Sequence, residues 1–170
     1  NYFAGSVGIG TTAPESSLHI ARSTSGNDVF IQHSVGDTSP ATLNFRKSRG
    51  SVTSPSDVQD ADRIAELNVI QYSGGTWFAT AGMRIDTDGT FTSGQRPPSR
   101  IILYTNEANN AQTERMRITG KGNVGIGTAG PLMKLHVRPA SAISGLTAST
   151  DASLLIEGGI ANVSDRRHRA

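Results

Sequence analysis

The chain has 170 residues, 35% of them apolar and 5% aromatic, with 19 glycines and no cysteine; that is thin for one self-contained core, leaves no disulfide framework or cysteine-based metal site, and offers no apolar run long enough to span a membrane. The net charge is +2, but Arg166, Arg167 and Arg169 supply three of the 16 basic residues. The body is close to neutral, so the sequence pI of about 9.3 does not mark a nucleic-acid-binding surface.

No signal peptide is visible, and a chain opening on Asn1 rather than Met reads as a fragment or processed product. A repeat organises everything that follows. Gly5 to Ile20 aligns with Gly122 to Val137 at an offset of 117, with nine of 16 positions identical. Each copy runs Val-Gly-Ile-Gly-Thr, then a proline, then Leu-His-Ile or Leu-His-Val. Apolar residues alternating with glycine make a period-two pattern. Glycine within a strand marks the close approach of another backbone, and proline punctuates. The module reads as strand, turn, strand with one face bare of side chains. Several copies about a common axis would gain close contact from that face, as collagen does. Gly8, Gly10, Gly125 and Gly127 are the expected axis positions.

Between the copies the chain reads as consecutive strands. Val29 to Gln32 and Thr42 to Arg46 are expected as short strands, and Ser48 to Asp60 as a polar loop. Arg63 to Tyr72 alternates, with Ala65, Leu67 and Val69 on one face and Ile64, Glu66, Asn68 and Ile70 on the other. A helix from Asp60 to Val69 competes there, but the period of two and the Gly74-Gly75 turn favour strand. Trp77 to Thr87 puts Trp77, Ala79, Ala81, Met83 and Ile85 on one face. Thr90 to Ser99 is a loop. Ile101 to Tyr104 and Glu114 to Thr119 are strands, the second with Met116 and Ile118 opposite Arg115 and Arg117. After the second copy, Leu154 to Ile156 looks like the opening of another repeat. The expectation is an antiparallel, all-β meander without a long helix.

Few residues invite chemistry. Gly125-x-Gly127-x-x-Gly130 matches a dinucleotide fingerprint, and Gly8-x-Gly10-x-x-Ala13 with Asp28 matches its looser form. The fingerprint needs a helix directly after it to hold the pyrophosphate. Only seven residues separate Pro131 from Pro139, so nucleotide binding is excluded. His19 and His136 occupy equivalent places in the repeat. A ring of three could bind a metal, but each lies between two apolar residues on a strand, which favours a solvated or hydrogen-bonded imidazole. His33 and His168 have no partner in view. Asp57, Asp60 and Asp62 crowd one loop without the calcium-loop glycine and glutamate, and Asp86 with Asp88-Gly89 reads as a turn. No catalytic triad or carboxylate pair stands out, so no enzymatic activity, cofactor or metal is expected. Trp77 with Tyr72 and Phe78 could stack on a sugar ring or pack in a core.

Thr113 to Ile118, Gly122-Asn123, Val-Gly-Ile-Gly-Thr, a proline and Leu-His-Val together resemble the recurrent stretch of bacteriophage tail-fibre proteins. Ala41 to Gly50 and Asp88-Gly89-Thr90 leading through Gly94 and Pro98 to Ile101 resemble their inter-repeat region. The resemblance covers about residues 5 to 137. It implies a virion fibre outside the cell, a homotrimer that joins other tail proteins and attaches to the host surface, with neither nucleic-acid binding nor membrane insertion. Ser164-Asp165-Arg166-Arg167 resembles the start of the self-cleaving intramolecular chaperone that follows many such fibres, which implies Ser164 as a cleavage-site serine. The expected organisation is a first intertwined neck at 1–22, a β-rich module at 23–121, a second neck at 122–139 and a further repeat or basic tail at 140–170. Tyr72 and Trp77 are the expected contacts for host glycan. A cellular surface filament or adhesin, a carbohydrate-binding module and a fibre-borne glycan depolymerase are the alternatives.

Overall fold

The structure, a computed structural model, describes residues 5–21, 23, 29–34, 36–108, 111–138 and the strand at 154–156. All regular structure among them is β, and the chain divides into a unit Asn1–Asn44 and a unit Phe45–Ala170.

In the first unit, β1 (Val7–Ile9) and β2 (Leu18–Ile20) pair in parallel, with Val7 opposite Leu18. In the second unit, β3 (Arg49–Gly50) and β4 (Pro55–Ser56) form a small antiparallel pair inside the expected polar loop. The rest is one seven-stranded sheet. β5 (Arg63–Ser73), β6 (Thr76–Thr87), β7 (Ser99–Thr105) and β8 (Thr113–Ile118) form an antiparallel meander, and β9 (Val124–Ile126) continues it. β10 (Leu135–Val137) and β11 (Leu154–Ile156) then add in parallel. The second repeat copy is therefore continuous with the sheet of the central meander. Gly74 and Gly75, both at positive φ, close the β5–β6 hairpin with the backbone twist that a two-residue loop requires.

The strand expected from Arg63 to Tyr72 forms, as Arg63–Ser73, and the competing helix from Asp60 does not. The expected strands at Val29 to Gln32 and Thr42 to Arg46 are also absent. A strand needs a partner for its backbone groups, and neither stretch has one among the described residues. Phe30 is 86% exposed.

The register gives the sheet two unlike faces, because residues directly opposite share a face. On one, Ala65, Ile85, Ile101, Ile118, Val124 and Leu135 form a row across six strands. Beside it run Leu67, Met83, Leu103, Met116, Ile126 and Val137. The other face carries Glu66, Arg84, Ile102, Arg117, Gly125 and His136, with Asn68, Gly82, Tyr104 and Glu114 alongside.

A bulge corrects one expectation. The partners of Val69 and Ile70 on β6 are Ala81 and Ala79, which leaves Thr80 as an extra residue. An extra residue reverses the alternation of the strand that carries it. β5 alternates without a break here, so Gln71 and its partner Phe78 stay on the side of the apolar rows. Trp77 and Ala79 move to the polar side with Tyr72 and Ile70.

Candidate functional site: an uncovered apolar sheet face and a hairpin arm

The polar face is the better covered one. Ile102, Tyr104, Asp86 and His136 are buried. Asp86 Oδ2 accepts from Arg84 Nε at 3.1 Å and faces Arg100 Nε at 3.6 Å. Arg100 Nη1 reaches Asp88 at 3.0 Å, and Asp88 Oδ2 accepts from the Gly120 amide at 2.6 Å. Burial pushes the Asp88 carboxyl up, but the Gly120 amide and Arg100 outweigh it and hold it below the usual range. Arg117 binds Glu114 through two hydrogen bonds of 2.5 and 2.6 Å. Tyr104 lies over Gly82, where any Cβ would meet the ring. Its hydroxyl donates to Glu66 Oε1 at 2.8 Å and touches the Asn68 amide. Burial and then Glu66 push the phenol up. The long arginine side chains thus roof this face with paired charge.

The apolar face has no such roof. Leu67 is 48% exposed and Leu103, near the middle of the sheet, 41%. Val69, Ile101, Ile118 and Ile126 are also exposed. Single exposed aliphatics are ordinary, but a contiguous patch of this extent on a folded chain marks a surface that something else covers.

The repeat closes as a small coil in both units. Val7 lies opposite Leu18 and Val124 opposite Leu135, so each turn takes 11 residues. Equivalent bonds recur. Val7 N donates to Ser17 O and Val124 N to Lys134 O, both at 2.8 Å. Glu15 N donates to His19 Nδ1 at 3.2 Å, and Leu132 N to His136 Nδ1 at 3.4 Å. The two histidines are hydrogen-bonded turn-closers, as their place between apolar residues implied. The glycines are accounted for within each coil. Gly10 and Gly127 have φ of +76° and +72°, and a Cβ there would overlap the carbonyl oxygens of Ala21 and Arg138. A Cβ on Gly8 or Gly125 would overlap Thr11 O or Thr128 O.

The remaining expected positions are dispersed. Asp62 is held by Arg49 at 2.7 Å and by the Gln59 amide, which together keep its carboxyl well below the ordinary range. Asp60 accepts from the Gly89 amide at 2.7 Å. Among the described residues no three acidic, histidine or cysteine side chains gather as a metal site, and no helix is long and apolar enough to cross a membrane. Tyr72 and Trp77 lie opposite each other near the hairpin tip, ring centroids 5.0 Å apart at 61°. Phe78 points to the other side of the arm. Ser164, Asp28 and His168 lie outside the described residues. The buried Asp86 ion pair was missed in the sequence, where Asp-Thr-Asp-Gly looks like a turn; the alternation of Arg84 with Asp86 on one face was the available signal.

The chain is thus an all-β fold in which an antiparallel meander runs directly into a parallel coil. The carboxy-terminal domain of the bacteriophage T5 L-shaped tail fibre has this fold, with a TM-score of 0.52 at 14% identity over 79% of this chain and 50% of that one. The same domain with its intramolecular chaperone domain gives 0.53 at 15% identity over 92% and 38%. The chain thus spans half or less of the fibre chains it matches. No family profile and no curated protein matches it.

Proposed function

We propose that the chain is a segment of a viral tail fibre, a homotrimer on the virion that supports attachment to the host surface. The uncovered apolar face carries this reading. Two aliphatic rows across six strands have the composition of a core cut open. Filling that face with copies of the same chain needs no second gene product and closes as a ring. The tail-fibre fold supports the setting, and the resemblance of the repeat supports three as the number of copies.

In this reading Val124, Ile126 and Val137 turn toward the common axis at the neck. Gly8, Gly10, Gly125 and Gly127 let the coil behind close tightly enough for three necks to pack. The paired charges of the opposite face meet water. The hairpin arm, with its exposed Tyr72, Trp77 and Phe78, is the part we assign to host contact, where three weak sites would act together. The test is the solution mass of the chain by light scattering after gel filtration over a range of concentrations. A stable mass of three chains supports the reading, and a folded monomer at every concentration rejects it.

A further inference from the structure

We propose that the notch between the β5–β6 hairpin arm and the loop after β7 binds a neutral or amino hexopyranose of a surface glycan. This deepens the attachment half of the reading above and rests on it for the number of sites per particle.

The notch follows from strand lengths. β7 pairs with β6 only from Ala81 to Thr87, so the arm from Ile70 to Ala79 overhangs the sheet. The extra residue Thr80 bends it there, as bulges do beside binding sites. Between the arm and the loop lies an open cleft of about 760 Å³ lined by Gln71, Ser73, Phe78, Thr80, Asn106 and Glu107, within the size range of small-ligand sites. The apolar rows end at this point. A lining of two amides, two hydroxyls and a carboxylate is unlike the core of a protein interface, which is depleted of charge. It marks where the covered face stops and solvent begins.

The lining matches a sugar. Phe78, 50% exposed, offers one aromatic face for the C–H face of a pyranose. Asn106 is fixed beside it: its backbone amide donates to Thr80 O at 2.8 Å and its Nδ2 to Ala79 O at 3.3 Å. These bonds hold the Asn106 side chain in place at the cleft wall. Among the described residues of the lining Glu107 is the one charge, with no lysine or arginine to oppose it. Uronic, sialic and phosphorylated sugars would be repelled, while an amino sugar would be drawn in.

The test is binding of the intact chain to an array of immobilised neutral, amino and acidic pyranose oligosaccharides, with the solution mass recorded in the same buffer. The expected result is binding to at least one neutral or amino sugar, weakened tenfold or more by Phe78→Ala and by Gln71→Ala. Trp77→Ala, on the other side of the arm, leaves it unchanged. Glu107→Lys shifts preference toward acidic sugars. Circular dichroism verifies that each variant is folded. Binding to none of the sugars, binding to acidic sugars alone, or loss with Trp77→Ala but not Phe78→Ala overturns the proposal; the last would place the site on the Tyr72–Trp77 pair. Phe78-dependent binding by a monomer would reject the trimer and leave the cleft standing. A mass of three chains without binding would do the reverse.

Discussion

Replacing Leu103 by aspartate is expected to abolish assembly while leaving the single chain folded. Leu103 lies between Met83 and Met116 in the middle of the apolar face and keeps 41% of its surface open in one chain. Burying a whole leucine is worth about 1.5–3 kcal/mol, so hiding the remaining two-fifths is worth about 1 kcal/mol per copy. Leu103→Ala therefore costs about 3 kcal/mol per trimer, or about two decades in the association constant. Leu103→Asp adds the withdrawal of a carboxylate from water, on the order of several kcal/mol for each of three copies. Such a trimer has no means of forming at micromolar concentration. The loop variant Val52→Asp, at a fully exposed residue, should leave the mass unchanged. Sedimentation equilibrium reads both. Retention of the native mass by Leu103→Asp, or its loss in Val52→Asp, would refute the assignment of the interface.

Three further outcomes are expected. Gly127→Ala should destabilise by at least about 1–2 kcal/mol, the cost of a left-handed backbone with a Cβ, because its φ is +72° and Arg138 O blocks the new methyl. Gly130→Ala, where a Cβ meets nothing within 4 Å, should not; thermal melts of the pair compare them, and equal losses would count against the coil geometry. Asp86→Asn should cost about 3 kcal/mol in urea unfolding, since it leaves Arg84 and Arg100 facing a neutral group in a covered site; a change below about 0.5 kcal/mol, typical of an exposed position, would show that the ion pair is idle. The carboxyls of Asp62 and Asp88 are held below their ordinary value by hydrogen bonds and arginine partners. Groups shifted downward contribute stability that is present above the unfolded pKa of about 3.9 and lost as pH falls toward the folded value. The urea midpoint should therefore stay level down to about pH 5 and drop below about pH 4, and a midpoint that rose on acidification would contradict these ion pairs.

Alternation was the most legible signal. β5 to β8 begin and end within two residues of their expected bounds, because a face of aliphatics at every second position leaves little room for another reading. The repeat also announced its strands, and the histidines between apolar residues announced their hydrogen-bonded state. Pairing direction was hidden. Leu-His-Val looks the same in either orientation, and what makes it parallel is the length and positive-φ glycine of the link that precedes it. Thr42 to Arg46 alternates as well as any true strand, yet its ladder partner is a matter of topology, which local pattern does not carry. The Thr80 bulge was likewise silent: one unpaired residue sends Trp77 and Phe78 to the sides opposite those the alternation implied. The cleft was out of reach for the same reason, since Gln71, Phe78 and Asn106 line it together only because of where β7 stops.

The central claim is that the apolar rows are covered by other copies of the chain. The most direct measurement uses the absence of cysteine: a single thiol introduced by Leu103→Cys, and in a second variant by Val52→Cys, timed in its reaction with a bulky maleimide under native conditions. The account predicts slow labelling at position 103, rising to the rate at position 52 when the assembly is dissociated. Equal rates at both positions in the native state would mean that the face is open to solvent, and the trimeric fibre reading would fall.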